Sequence, residues 1–205
     1  MSLYSRYIFP TLLDWSMGVA PIREQRARLV SKAAGKVLEV GFGTGLNLPH
    51  YTGDVTSLTA LDTCAMLPQK VAKRLQEVTF PVEQVIASGE ALPFAEGMFD
   101  CLVTTFTLCS IPKVEEALGE MRRVLRSGGI HLFLEHGRSD DARVARWQDR
   151  LNPFQTFWAC GCNLNRRVDR LIENADLTMK EIERFHLRGT PRVVGEMYLG
   201  VAQRP

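Results

Sequence analysis

The run Val37-Leu38-Glu39-Val40-Gly41-Phe42-Gly43-Thr44-Gly45 constrains this chain more than any other. A short apolar strand enters a turn with glycine at every second position. Glycine accepts positive φ and lets a ligand approach the backbone closely, so such a turn suits a cofactor lying across the end of a strand. A dinucleotide fingerprint needs glycine at position 46, to seat a pyrophosphate on a helix N-terminus, and Leu46 stands there instead. Asp62 lies 21 positions beyond Gly41, at the end of the next strand candidate. There a carboxylate can accept hydrogen bonds from two ribose hydroxyls. The glycines alone are also compatible with a purely structural turn; Glu39 before them and Asp62 after them favour the cofactor.

Around this run the pattern alternates. Strand candidates Lys36–Val40, Ser57–Leu61, Val82–Ile86, Phe99–Phe106 and Ile130–Glu135 are separated by helical patterns, which implies βαβ units. Ile22–Ala34 reads as a helix stopped at Gly35, and Thr63–Glu77 as a second carrying Met66, Leu67, Val71, Ala72 and Leu75 on one face. Pro112–Arg126 reads as a third, with Ser110 able to cap it, Pro112 opening it, and Val114, Ala117, Leu118, Met121, Val124 and Leu125 as its stripe. Beyond Arg138 come helical stretches at Asp141–Leu151 and Leu164–Ala175, then strand-like runs Thr178–His186 and Val193–Ala202. The expected fold is therefore α/β, a doubly wound parallel sheet gaining an antiparallel C-terminal hairpin, with its ligand at the carboxyl ends of the strands. With no linker or repeat, residues 1–205 read as one domain, and residues 1–34 as an N-terminal helical lid.

Twenty-five basic against 23 acidic residues give a formal net charge of +2, no electrostatic case for nucleic acid. No apolar run reaches the roughly 18 residues that cross a bilayer, which excludes a transmembrane segment. The five cysteines, Cys64, Cys101, Cys109, Cys160 and Cys162, lack the spacing of a zinc site or a disulfide framework and suit a reducing cytoplasm. No metal is expected, and buried or loop thiols are the simpler reading. Arg166, Arg167 and Arg170 read as a solvated face.

These residues resemble the class I S-adenosylmethionine (SAM)-dependent methyltransferases, in particular the small-molecule branch that includes ubiquinone-biosynthesis enzymes. The resemblance implies a Rossmann-like, seven-stranded sheet and SAM as cofactor, with S-adenosyl-L-homocysteine as product. It places Gly41, Gly43 and Gly45 along the methionine part of SAM, Asp62 on the ribose with Thr63 beside it, and Glu39 behind the loop or at the cofactor's amino group. Met66 is either adenine-side packing or core. Ser88-Gly89-Glu90-Ala91-Leu92-Pro93-Phe94 is similar to the family's loop before strand four. Relatives carry Asp-Ala where this chain has Ser88-Gly89, so Gly89 and Glu90, or a backbone group, stand where adenine would be read. Thr107 would face cofactor and acceptor.

Thr107-Leu108-Cys109-Ser110-Ile111, Glu135-His136, Gly161-Cys162-Asn163-Leu164-Asn165-Arg166 and Tyr7-Ile8-Phe9-Pro10 resemble the vertebrate methyltransferase-like alkyl-thiol S-methyltransferases. Those relatives carry a hydrophobic N-terminal membrane anchor, and this sequence begins after the point where it would end. The resemblance implies a small thiol or hydrosulfide as methyl acceptor, with His136 accepting its proton; a histidine that hydrogen-bonds a loop or helix is the alternative. Carbon, oxygen or nitrogen methylation of a hydrophobic metabolite or lipid, and a SAM-binding regulator without turnover, stay open. Tyr4, Tyr7, Phe9, Trp15, Phe154, Phe157 and Trp158 either close a lid over an apolar acceptor or pack ordinarily.

Overall fold

The computed structural model describes residues 8–205. Strands β1 (Gly35–Val40), β2 (Val55–Asp62), β3 (Val82–Ile86), β4 (Phe99–Thr105), β5 (Leu125–His136), β6 (Thr178–His186) and β7 (Glu196–Gln203) form one sheet in the order β3-β2-β1-β4-β5-β7-β6. The first five are parallel, and β7 lies antiparallel between β5 and β6. Helices α1 (Phe9–Met17), α2 (Ala20–Val30), α3 (Pro68–Leu75), α4 (Val114–Val124), α5 (Ala142–Trp158) and α6 (Val168–Asn174) complete the fold. The expected seven-stranded sheet and its closing hairpin are both present.

Strand periodicity explains why both faces are covered. In β1, Leu38 and Val40 enter a core with Leu118, Met121 and Ile172, while Val37 enters the opposite core with Leu29, Val30 and Val103. Alternate residues apolar on both sides are the mark of a parallel strand buried between helical layers. On α4 the stripe Val114, Ala117, Leu118, Met121 and Val124 is wholly buried. Its removal from water is worth on the order of 10 kcal/mol before chain entropy is charged against it.

Several boundaries differ from the sequence expectation. The helix expected from Thr63 starts at Pro68, because a residue before proline is driven out of the αR region, and Leu67 sits at φ +41°. Thr63–Met66 therefore form a loop, and Met66 lies outside the core. Ser110 and Pro112 neither cap nor open α4, which begins at Val114 after Lys113. Gly35, at φ +72°, opens β1, and α2 has already ended at Val30. Its conformation and the Asp100 carboxylate beside it leave no room for a Cβ. Leu125–Gly129 belong to β5, α5 runs on through Pro153 to Trp158, α6 starts at Val168 and β7 at Glu196.

β2 and β3 lie to one side of β1 and β4 to the other, so the crossovers diverge at the carboxyl ends of β1 and β4. Val40 is level with Leu61 and Thr104, and Thr105 with Leu134. The register thus delivers Gly41, Asp62, Phe106 and His136 to one edge of the sheet.

Candidate active site

A cavity of about 680 Å³ opens at that edge. Gly41, Gly43, Asp62, Thr63, Met66, Gly89, Thr107 and His136 all line it. Glu39, Gly45 and Glu90 do not reach its surface.

The glycine loop is shaped from two sides. Gly41 has φ +79°, and a Cβ there would stand 2.1 Å from Thr107 Oγ1, so β4's exit packs directly on the loop. Gly43, at φ +57°, would bring a Cβ no nearer than 4.0 Å to the Gly41 carbonyl oxygen, which leaves open space above it. The Asp62 carboxylate fixes this arrangement: Gly43 N donates to Oδ2 at 2.8 Å and Thr63 N to Oδ1 at 2.7 Å. Glu90 Oε1 accepts from Lys113 N at 2.8 Å at the start of α4.

Behind the loop lies a buried polar network. Asn47 Nδ2 donates to Glu39 Oε1 at 2.9 Å and Tyr51 OH donates to Oε2 at 2.6 Å. Burial pushes the Glu39 carboxyl up to about 7, against these two bonds and the nearby Arg26 charge. Arg26 Nη1 donates to Asn47 Oδ1 at 2.7 Å and Thr105 Oγ1 at 2.6 Å, while its Nε has no partner among the described residues. Burial lowers its pKa to about 10, which leaves it a cation at neutral pH, and it lines the cavity. Sequence reading passed over Arg26, although it occupies the gap in the apolar stripe Ile22, Leu29, Val30 of α2, an unusual place for a charge.

At the other end of the cavity, Phe106 leaves β4 at φ +56°, an uncommon conformation for an aromatic residue. Its ring stacks on His136, with centroids 6.5 Å apart, and the Arg26 guanidinium lies 5.2 Å from its centroid. Glu135 turns away, accepting from Thr107 N at 2.9 Å and Leu108 N at 3.1 Å. Burial raises it to about 7 despite those bonds. His136 Nε2 stands 2.8 Å from Cys162 Sγ, which is 3.5 Å from Cys109 Sγ. The compact pair Cys160-Gly161-Cys162 splits: Cys160 is exposed, while Cys162, in the turn after α5, meets Cys109.

Helix α1 walls the cavity through Phe9, Leu12, Leu13, Ser16 and Met17. Asp14 ties it down: Thr44 Oγ1 donates to Oδ1 at 2.7 Å, Arg74 Nη1 to Oδ1 at 2.8 Å, and Lys70 Nζ to Oδ2 at 2.6 Å. Although burial works against ionisation, these donors hold Asp14 at about 2. Of the aromatic residues considered for a lid, Phe9 and Trp158 line the cavity, whereas Trp15, Phe154 and Phe157 are exposed and do not. Tyr4 and Tyr7 lie outside the described residues. Among the described residues no helix is long and apolar enough to cross a membrane.

Residues 38–133 match the family model described as a methyltransferase domain. The chain is 34% identical to human thiol S-methyltransferase TMT1B over 74% of its own length and 64% of that protein's, so it spans just under two thirds of this relative. It is 31% identical to the phosphatidylethanolamine N-methyltransferase of Cereibacter sphaeroides over 78% of each chain. The N-methyltransferase NodS from Bradyrhizobium japonicum WM9, solved with S-adenosyl-L-homocysteine, superposes with a TM-score of 0.66 at 19% identity. That superposition covers 93% of this chain and 91% of the other, and shows the shared fold.

Proposed function

The chain belongs to the class I SAM-dependent methyltransferases, and from that premise we propose that it methylates the sulfur of a small thiol or hydrosulfide. The observation that carries the reading is one continuous cavity with the Asp62–Gly43 loop at one end and His136, Cys109 and Cys162 at the other. The residues present fit SAM. The open space over Gly43 takes the methionine part, and Asp62 retains acceptor capacity for ribose hydroxyls beyond its two backbone bonds. Arg26, a buried cation that lines the same cavity, suits a carboxylate. Met66, Thr63 and Gly89 line the adenosine end, Thr107 the junction with the acceptor.

SAM supplies an electrophilic methyl group on a sulfonium, which passes to a nucleophile in line. The protein's part is alignment and exclusion of water. Helix α1 serves as the lid, with Asp14 holding it against the glycine loop. His136, backed by Phe106, stands with Cys109 and Cys162 at the acceptor end of the cavity.

The test is production of S-adenosyl-L-homocysteine from SAM with small thiols and hydrosulfide, beside phenol, amine and lipid acceptors. Selective turnover of thiols is expected. Turnover of the other acceptors alone rejects the sulfur reading, and absence of SAM binding rejects the cofactor assignment. N-methylation of a lipid amine is the second reading, motivated by the apolar cavity and the phosphatidylethanolamine relative, and the same panel decides it.

A further inference from the structure

We propose that Cys109, His136 and Cys162 form a three-ligand site for Zn²⁺ whose fourth position opens into the cavity and receives the acceptor sulfur. The role assigned to the ion rests on the thiol reading above; the binding of the ion does not.

Geometry is the first support. The two sulfurs and His136 Nε2 lie within 4.8 Å of one another, with 2.8 Å from Nε2 to Cys162 Sγ and 3.5 Å between the sulfurs. A tetrahedral zinc with Zn–S near 2.3 Å and Zn–N near 2.0 Å needs donor–donor edges of roughly 3.5–3.8 Å. The trio reaches that arrangement with shifts of about 1 Å or less. Two thiolates and an imidazole are also the donor set that selects a thiophilic ion over magnesium or calcium. Glu135, the nearest carboxylate in sequence, is engaged by backbone amides and leaves the set as S₂N.

Placement is the second support. The loops bearing the cysteines are joined without using either thiol: Asn163 N and Nδ2 donate to Cys109 O at 2.8 and 3.0 Å. Arg166 Nη1 donates to the carbonyls of Leu108 and Ile111, on both sides of Cys109. The donors are therefore assembled by backbone and side-chain bonds of their own, before any ion arrives. All three line the cavity. Thr107, two residues before Cys109, packs on Gly41, so the trio adjoins the loop assigned to the methionine part of SAM.

Three protein ligands with an open fourth position are the pattern of catalytic zinc. An acceptor thiol entering that position displaces water and releases its proton to solvent, keeping its electron pair on sulfur. That sulfur then forms the S–CH₃ bond as the sulfonium C–S bond breaks. The pair from the broken bond stays on the departing sulfur, and the products are a thioether and S-adenosyl-L-homocysteine.

The test is anaerobic titration of reduced, chelator-stripped full-length protein with Co²⁺ as a spectroscopic probe, and with Zn²⁺ followed by elemental analysis. One ion per chain is expected, with thiolate-to-cobalt charge transfer and tetrahedral d–d bands. Cys109→Ser and Cys162→Ser should each abolish the charge-transfer band or weaken binding by more than about tenfold, and His136→Gln should weaken it similarly. Thermal unfolding of the metal-free variants controls for folding. A small thiol should shift the cobalt d–d bands, reporting the open position. No uptake, or uptake indifferent to all three substitutions, overturns the site. Loss of two titratable thiols in air without metal uptake in the reduced protein also overturns it, making the pair a disulfide couple. Cobalt binding without methylation of any thiol upholds the site and rejects the thiol reading. Undiminished thiol methylation by stripped protein upholds that reading and overturns the ion's role.

Discussion

Asp14→Asn removes the charge that holds α1 over the cavity while keeping the shape of the side chain. Asp14 is 7% exposed and is met by Arg74, Lys70 and Thr44. Its folded pKa of about 2, against 3.8 as a reference, corresponds to about 2 kcal/mol at neutral pH. The Lys70 side chain is half in solvent, so its share is small, and the Arg74 arm carries most of the effect. The variant should therefore lose about 1–2 kcal/mol, in denaturant unfolding or in closure of α1. If closure takes the loss, SAM affinity falls by roughly 5–30-fold. The sign with pH follows from the depressed carboxyl: the contribution is complete above about pH 4 and is lost as pH falls through about 2. The stability gap between wild type and variant should narrow on acidification through that window. Urea unfolding at several pH values, isothermal titration with SAM and amide hydrogen exchange over residues 9–17 measure all three effects. A variant that unfolds, binds SAM and exchanges like wild type refutes the latch.

Gly41→Ala should abolish SAM binding and cost at least about 1–3 kcal/mol, since the new methyl meets Thr107 Oγ1 on a positive-φ backbone; thermal unfolding and equilibrium dialysis read both. Arg26→Met leaves Glu39 and Asn47 without their cationic neighbour and should cost about 3 kcal/mol while weakening SAM more than adenosine; equal loss for both ligands counts against a carboxylate contact. His131 is fully buried, with burial lowering its pKa to about 4. Its unfolded form takes up a proton near pH 6.5, so stability should fall by up to about 1.4 kcal/mol per pH unit from there down to about 4. In His131→Leu that slope should disappear from urea unfolding; an unchanged slope assigns the acid sensitivity elsewhere.

How far the sequence reads toward this fold depends on whether a feature lies along the chain or between segments. The sheet is legible because each strand writes its own period: Val37, Leu38 and Val40 fill both cores, and the stripe of α4 is buried as its spacing requires. Helix starts are less legible, since Pro68 moves α3 five residues past Thr63 through a preference of the residue before it. The glycine-loop half of the cavity follows the chain too, because Gly41, Gly43 and Asp62 are set by strand register. Glu39 and Gly45, two positions from Gly41 and Gly43, and Glu90, next to Gly89, show how far proximity in sequence carries: none of the three forms the cavity surface. The opposite end of the cavity is different in kind. Cys109, His136 and Cys162 come from the loop after β4, the end of β5 and the turn after α5, and only the tertiary fold makes them neighbours. Spacing rules for metal sites find ligands presented by one loop or one helix face, so they pass over a set contributed singly by three elements. Arg26 and Asp14 left a fainter trace, charges at positions where a helix buries its side chains. A buried charge must be repaid by partners, and here those partners are the glycine loop, β4 and α3. A charge set into an apolar helix stripe is thus a mark the chain carries in its own periodicity, even where the groups that answer it lie 21 to 79 positions further on.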